Sequence, residues 1–189
     1  MCGCASVDGK KDSADRRQGI WTFIHNQMGP APEASAMYLD DTLHGPYKLY
    51  NTKHNIIISG QFSNGKKSGI WTVFNNQFVK IMEIGYKDGL IDGYHRTWYD
   101  SGPFEGKMKM ECVFNKGVIN GQYRTFGNPA FNAMFDNGAI LSVNAVDLDG
   151  KPILDHKTLR DELEKLSEGD IENVKYFEEI VDYSLSNAY

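Results

Sequence analysis

Aromatic residues and glycines recur at a nearly constant interval over most of the chain. With the second glycine of each unit taken as position zero, successive units are offset by 26, 24, 24 and 28 residues. The zero positions are Gly19, Gly45, Gly69, Gly93 and Gly121. Units of this length cannot bury their own apolar side chains, so the pattern predicts an array of small units stacked on one another.

Three columns of apolar residues accompany these glycines. The column seven positions before zero holds Tyr38, Phe62, Tyr86 and Phe114. The column two positions after zero holds Trp21, Tyr47, Trp71, His95 and Tyr123. The column five positions after zero holds Ile24, Tyr50, Phe74, Trp98 and Phe126. A sixth, degenerate unit keeps only its front half, around Phe135.

The repeats also carry dipeptides preferred in two-residue hairpin turns, because type I′ geometry requires positive φ at both central residues. These dipeptides are Asn64-Gly65, Asp88-Gly89, Asn137-Gly138 and Asp149-Gly150. With the turns placed there, positions −7, 0 and +2 share one face of a sheet and position +5 lies on the other. The missing side chain at zero is expected to leave a slot across which a neighbouring ring lies.

These patterns predict a mostly β protein. We expect an elongated, meandering antiparallel sheet of about five to six hairpin repeats of ~24 residues, capped by a C-terminal α-helical segment. Residues 1–18 are polar and are predicted to form a disordered leader or tether. The hairpin repeats are assigned to residues 19–153 and an acidic amphipathic helical cap to residues 154–189.

The period of apolar residues changes to about 3.6 after the repeats. Leucines at helical spacing up to Leu166 are interrupted by the sequence Ser-Glu-Gly-Asp at 167–170, after which the period resumes at Ile171. This predicts two short helices with Asp155 and Asp170 as N-caps, docked on the final repeats. The alternative is that this acidic segment is itself the partner-binding element.

Composition and charge narrow the classes of function. The chain of 189 residues has a net charge of −5, which gives no general attraction to nucleic acid or anionic lipid. The last 35 residues carry a net charge of −6 and the preceding 154 carry +1. No apolar run is long enough to span a bilayer.

No sequence motif points to catalysis, a cofactor or a metal. The five histidines show no metal-ligand spacing, and no nucleophile elbow or nucleotide-binding loop is present. Cys112 lies in an apolar run, which is typical of a buried free thiol. We therefore expect a non-enzymatic protein without cofactor or metal.

The N-terminal sequence Met-Cys-Gly-Cys raises a separate question. Gly3 followed by Cys4 is similar to the end of a bacterial lipoprotein signal, but the cationic and apolar regions of such a signal are absent from the chain as given. Two alternatives stay open. The protein is cytoplasmic, or it is a cell-envelope lipoprotein lipidated at Cys4 if a signal segment lies upstream, with no other membrane contact.

The units Phe62–Phe74, Tyr86–Tyr99 and Phe114–Phe126 resemble MORN-type repeats. Their aromatic-x-[Asn/Asp]-Gly-x-x-x-Gly-x-aromatic order and length most resemble the YwqK-like antitoxin family, over residues 13–153. The resemblance implies a meandering β-sheet that binds proteins or, in some cases, membranes, and a role against a partner toxin. The chain departs from the pattern at Asp41, at His95 and in four additional residues within 100–111.

Two classes of function follow. The first is a protein-binding module of an antitoxin-like or immunity-like kind, with its rings and arginines as contacts. The candidate contacts are Trp21, Tyr47, Trp71, His95 and Tyr123 on one face, with Arg96 and Arg124 on the other. The second is a surface-tethered protein with a structural or adhesive role, anchored through Cys4. Nucleic acid is not an expected partner of either.

Overall fold

In the computed structural model the chain forms one open antiparallel sheet with one helix packed on it. The structure describes residues 7–24, 33–51, 55–127, 129–147, 149–153 and 155–186. The twelve described strands are hydrogen-bonded in sequence order, from β1 at one edge to β12 at the other. They are β1 (Val7–Lys11), β2 (Arg17–Ile24), β3 (Glu33–Leu39), β4 (Thr42–Asn51), β5 (Ile56–Ser63), β6 (Lys66–Asn75), β7 (Lys80–Lys87), β8 (Leu90–Trp98), β9 (Met108–Asn115), β10 (Val118–Thr125), β11 (Ala130–Asp136) and β12 (Ala139–Val146).

This topology confirms the predicted meander of hairpin repeats, with six hairpins from β1–β2 to β11–β12. The prediction that residues 1–18 form a disordered leader is wrong from Val7 onward, because residues 7–18 form β1, a turn and the start of β2. Val7–Lys11 forms the edge strand β1 and pairs with β2. A polar edge strand is stable here because its backbone bonds to β2, and lysines on an edge also oppose pairing with another chain. Residues 1–6, including Cys4, lie outside the described residues.

The hairpin turns explain the Asn-Gly and Asp-Gly dipeptides. Both turn residues have positive φ in three of the four predicted turns and in two others. The five turns are Asp40-Asp41, Asn64-Gly65, Asp88-Gly89, Lys116-Gly117 and Asn137-Gly138. The fourth predicted dipeptide does not form a type I′ turn, because Gly150 alone has positive φ and its N–H donates to the carbonyl of Asp147 at 3.0 Å.

The zero glycines have a different role from the predicted slot. Each lies in a bulge, in which three residues of the second strand oppose one residue of the first, and each has a φ between 68° and 114°. Glycine is required there because this left-handed backbone is strained for other residues. The predicted slot for a ring exists at a different glycine, since the ring of Trp71 in β6 lies across Gly60 of the neighbouring strand β5. A Cβ added to Gly60 would lie 2.1 Å from Cδ2 of Trp71.

The bulges also join one hairpin to the next. The N–H of the second turn residue in each hairpin donates to a carbonyl two residues before the zero glycine of the preceding hairpin. Gly89 bonds to Lys67 at 3.0 Å in this way, and Gly117 bonds to Ile91 at 2.7 Å. The same bond is present at all five turns, which accounts for the constant spacing of turn and bulge along the sequence.

One continuous helix, α1 (His156–Ser186), replaces the two short helices that we predicted. Asp155 is confirmed at its N-terminus, where its carboxylate accepts a hydrogen bond from the N–H of Lys157 at 3.2 Å. Asp170 is not an N-cap, because it lies in the interior of α1 and its carboxylate faces the sheet. The helix continues through 167–170 because both of its halves are held by packing, which outweighs the weak helix propensity of serine, glycine and aspartate.

α1 covers both halves of the sheet rather than the last repeats alone. Leu159 and Leu163 pack in a cluster built from β9 to β12, whereas Val174, Phe177 and Val181 pack in a cluster built from β2 to β7. The helix therefore forms a second layer over one face, which we call the inner face. The opposite, outer face carries no second layer from the described residues. No helix in the described part of the chain is both long and apolar enough for a membrane span.

Gly169 offers a direct test of the helix. It lies in mid-helix with no atom within 4 Å of an added Cβ. We expect Gly169→Ala to raise the free energy of unfolding by about 1 kcal/mol, because alanine loses less backbone entropy than glycine in a helix. Urea titration would measure the change. A loss of stability would show that residues 167–170 do not form a continuous helix.

Candidate functional site

The rings proposed as contacts on the inner face are part of the core. The side chains of Tyr47, Trp71, His95 and Tyr123 are 2% exposed or less, and Trp21 is half-buried. The four buried rings lie between the sheet and α1, so they are not a presented surface, and Trp21 packs against the same core cluster. This corrects our interpretation of the +2 column, whose apolar character reflects burial under a helix.

Tyrosine hydroxyls fix α1 to this face. Tyr123 donates to a carboxylate oxygen of Asp170 at 2.7 Å, and Tyr86 donates to Glu178 at 2.9 Å. Burial, together with these negative partners, raises the pKa of both phenols. Tyr47 lies 2.6 Å from the hydroxyl of Ser184. Polar atoms on α1 thus satisfy the polar ends of the buried rings.

His95 and Cys112 form a buried pair beneath the middle of α1. Nδ1 of His95 lies 3.9 Å from Sγ of Cys112, and Nε2 of His95 has no hydrogen-bond partner within the described chain. Burial lowers the pKa of His95 to about 4 and raises the pKa of the Cys112 thiol. Both groups are neutral near pH 7, so the pair does not form the thiolate and imidazolium that a cysteine nucleophile uses.

A ladder of alternating charges crosses the outer face. Glu83, Arg96, Glu111 and Arg124 are direct cross-strand neighbours on β7, β8, β9 and β10. Nε of Arg96 donates to Glu111 at 2.7 Å, and Arg124 also pairs with Glu111. Burial opposes ionisation of Glu111, but the hydrogen bonds from the two arginines outweigh it and lower its pKa.

Rings of the outer face lie against these cations. The guanidinium of Arg96 lies 4.1 Å from the ring centroid of Tyr94, and Nζ of Lys80 lies 4.0 Å from that of Trp98. Arg124 lies 5.7 Å from the centroid of Phe126. Such contacts hold both ring and cation at the surface in fixed orientations. Arg96 and Arg124 therefore lie on the face opposite the +2 rings, as predicted.

A further column was missed in the sequence. The residue directly after the zero glycine points outward from each bulge and is exposed where it is large. Ile20 is 64% exposed, Ile70 63% and Tyr94 50%. The sequence contained a signal for this column. Because adjacent residues of a strand point to opposite faces, the residues at +1 must point away from the buried residues at +2. The outer face thus combines exposed apolar residues with a polar central row.

A groove of about 480 Å³ opens on the outer face across β2 to β6. Its floor is made of small residues, Ser35, Ser59 and Gly60. Apolar residues and one lysine line the rest of it. They are Ile20, Pro46, Tyr47, Lys48, Ile57, Phe74 and Phe78.

The remaining sequence irregularity lies at a strand connection. The additional residues within 100–111 form a short 3₁₀ turn, Gly102–Phe104, between β8 and β9. Phe104 is exposed and its ring centroid lies 5.7 Å from that of Tyr99. Among the described residues, no group of three or more His, Cys, Asp or Glu side chains is placed to hold a metal ion.

Comparison with known proteins gives a partial match. No protein-family model matches the chain. Part of it is similar to the succinyl-diaminopimelate desuccinylases of Rickettsia massiliae (strain Mtu5) and Rickettsia felis (strain ATCC VR-1525 / URRWXCal2), each 23% identical over 91 residues. The match covers 48% of this chain and only 23% of the length of those relatives. At this identity and coverage it does not assign the chain to their family.

Proposed function

We propose that this protein is a non-enzymatic repeat module that binds a protein partner through the outer face of its sheet. The observation that carries the proposal is the composition of that face. It combines exposed large apolar side chains, such as Ile70 and Tyr94, with arginines held in place by rings and carboxylates. Tyr, Trp and Arg are the residue types that contribute most at protein interfaces.

The charge of the outer face favours a protein over a membrane or nucleic acid. The two arginines at its centre are paired with Glu83 and Glu111, and Lys80 also pairs with Glu83, so each of these basic groups has a carboxylate partner. Binding to phosphates or anionic lipids requires unpaired basic groups. A protein partner is recognised instead by shape, rings and local charge pairs.

The buried chemistry supports a non-enzymatic role. The His95 and Cys112 pair is enclosed under α1 and neutral, and the tyrosines beside it are bonded to the helix. We further propose, from the resemblance to MORN-type, YwqK-like proteins, that the partner is a toxin against which this module acts. In that case the toxin occupies the outer face.

Site-specific photocrosslinking in the native cells tests this proposal. A p-benzoylphenylalanine residue would replace Ile70 or Tyr94 on the outer face, or Glu172 on the exposed side of α1 as the matched control. We expect the two outer-face positions to capture the same protein and Glu172 to capture none. Tyr94→Ala should then weaken binding of that purified protein about tenfold, as loss of an interface anchor does.

The alternative that the acidic helix binds the partner has a distinct outcome. Capture from Glu172 alone, with Tyr94→Ala binding as tightly as the unchanged protein, would contradict the outer-face proposal. Circular dichroism of each variant would establish that the sheet and α1 are intact.

A further inference from the structure

One of the residues that line the groove on the outer face is a phenylalanine in a strained conformation. Phe78 lies in the turn between β6 and β7 with a φ of 63°, and its side chain is 69% exposed. A bulky residue in left-handed backbone is rare and strained, because its Cβ lies too close to the following carbonyl oxygen. Burial does not explain a ring at this position, because the ring is exposed. Turn geometry does not explain it either, since asparagine or glycine would form the same turn without the strain.

The turn holds Phe78 in a defined place. The side-chain oxygen of Asn75 accepts hydrogen bonds from the N–H of Gln77 at 3.0 Å and from that of Val79 at 2.9 Å. The backbone carbonyl of Asn75 accepts the N–H of Phe78 at 3.0 Å. The exposed ring is therefore presented by a rigid turn at the end of the groove, which lowers the entropy cost of using it in binding.

The floor of the groove leaves room for an inserted side chain. Ser35, Ser59 and Gly60 are small, and Gly60 must be, because the Trp71 ring on the inner face lies against its backbone. Ile20, Ile57 and Phe74 form apolar walls above this floor. An aliphatic or aromatic side chain fits a site of this kind.

The charge of the groove specifies the rest of the ligand. Lys48 is the one charged residue among the described residues that line it, and Nζ of Lys48 lies 4.8 Å from the ring centroid of Tyr50. In contrast, the groove of about 530 Å³ between α1 and the turns is lined by Arg160, Glu164 and Glu168, with charges of both signs. The outer groove thus favours a ligand with a negative group beside its apolar part.

We propose that this groove binds a partner segment in which a large apolar residue lies next to an acidic one. The inference rests on the proposed function and specifies the partner of the same face. A polypeptide is the occupant because the groove is open along the sheet and continues into the exposed +1 column at Ile20, so flanking backbone can pass over it.

Titration of the isotope-labelled protein with short peptides, followed by NMR, tests the inference. The probes are Ac-Gly-Phe-Asp-Gly-NH₂ and the uncharged control Ac-Gly-Phe-Asn-Gly-NH₂. We expect saturable shifts at the amides of Ser35, Ser59 and Gly60, with the Asp peptide bound about threefold to fivefold more tightly, the range of an exposed ion pair. Lys48→Met should abolish this difference in affinity between the two peptides.

Phe78→Asn separates binding from folding. Asparagine tolerates positive φ, so this variant should have a melting temperature at least as high as that of the unchanged protein. It should nevertheless bind both peptides about tenfold more weakly, because the ring is lost. A stable variant that binds both peptides normally would overturn the role of Phe78.

Three other outcomes would overturn the proposal. They are the absence of saturable shifts at the floor residues, equal binding of the Asp and Asn peptides, and binding of free 3-phenylpropionate as tightly as the Asp peptide, which would indicate a small carboxylate as ligand. Crosslinks from Ile70 and Tyr94 without any response in the groove would leave the outer-face function intact and reject the groove alone. The absence of both the crosslinks and the groove response would reject the proposed function itself.

Discussion

Trp71→Ala is expected to lower the free energy of unfolding by about 3–5 kcal/mol. The Trp71 ring is fully buried at the centre of the inner face, with ring centroids of Phe62 at 5.1 Å, Tyr47 at 5.3 Å and Phe177 of α1 at 6.0 Å. Removing it opens a cavity between the two layers, and the sheet cannot collapse to fill it without moving the helix. Urea or guanidinium titration would measure the loss.

Trp98→Ala is the matched control. Trp98 belongs to the +5 column on the outer face, where its described partner is the ammonium of Lys80 at 4.0 Å. Its removal should cost about 1 kcal/mol or less. Equal losses for the two tryptophans would contradict the assignment of one face to the core and the other to solvent.

Acidification is expected to weaken the fold through His95. Its pKa is about 4 in the folded protein and 6.5 as an ordinary value, because burial disfavours the charged ring. The unfolded chain therefore takes up a proton that the folded chain resists. The contribution to stability is complete above pH 6.5 and is lost as the pH falls towards 4, by about 3 kcal/mol in total.

His95→Phe isolates this contribution from other acid effects. The variant keeps a ring in the +2 column, where neighbouring repeats have Trp71 and Tyr123. The carboxyl of Asp170, which accepts a hydrogen bond from Tyr123, has a pKa raised by burial, so it changes stability in the opposite direction as the pH falls. We expect the free energy of unfolding of the variant, minus that of the unchanged protein, to increase as the pH falls from 6.5 to 4. A constant difference across that range would show that His95 is not buried as described.

The sheet could be predicted from the sequence because its signals are local. Asn64-Gly65 and Asp88-Gly89 specify the turns through backbone geometry alone, and the alternation around them assigns residues to faces. The bulge at each zero glycine was harder to predict. Gly69 is required for its positive φ, whereas Gly60 is required because the ring of Trp71 lies against its backbone. The sequence shows only a glycine in both cases. The two roles can be told apart only from the way in which neighbouring strands pair.

The helix and the free face could not be predicted because they depend on contacts between distant residues. Ser167, Asp170 and Ser184 occupy the inward positions between the apolar residues of α1, which concealed the continuous period. Asp170 and Ser184 are suited to those positions because the hydroxyls of Tyr123 and Tyr47 lie opposite them. With the helix misplaced, the buried rings and not Ile70 or Phe78 were identified as contacts.

The path of α1 also has a consequence for synthesis on the ribosome. Tyr47, in the second hairpin, contacts Ser184, which is 137 residues further along the chain. The first hairpins therefore emerge with their aromatic rings uncovered and stay so until the helix that shields them has been made. During that interval the nascent chain exposes Phe23, Tyr47 and Trp71 together, a surface suited to chaperones that bind apolar segments. Slow translation of the final segment would prolong this exposure.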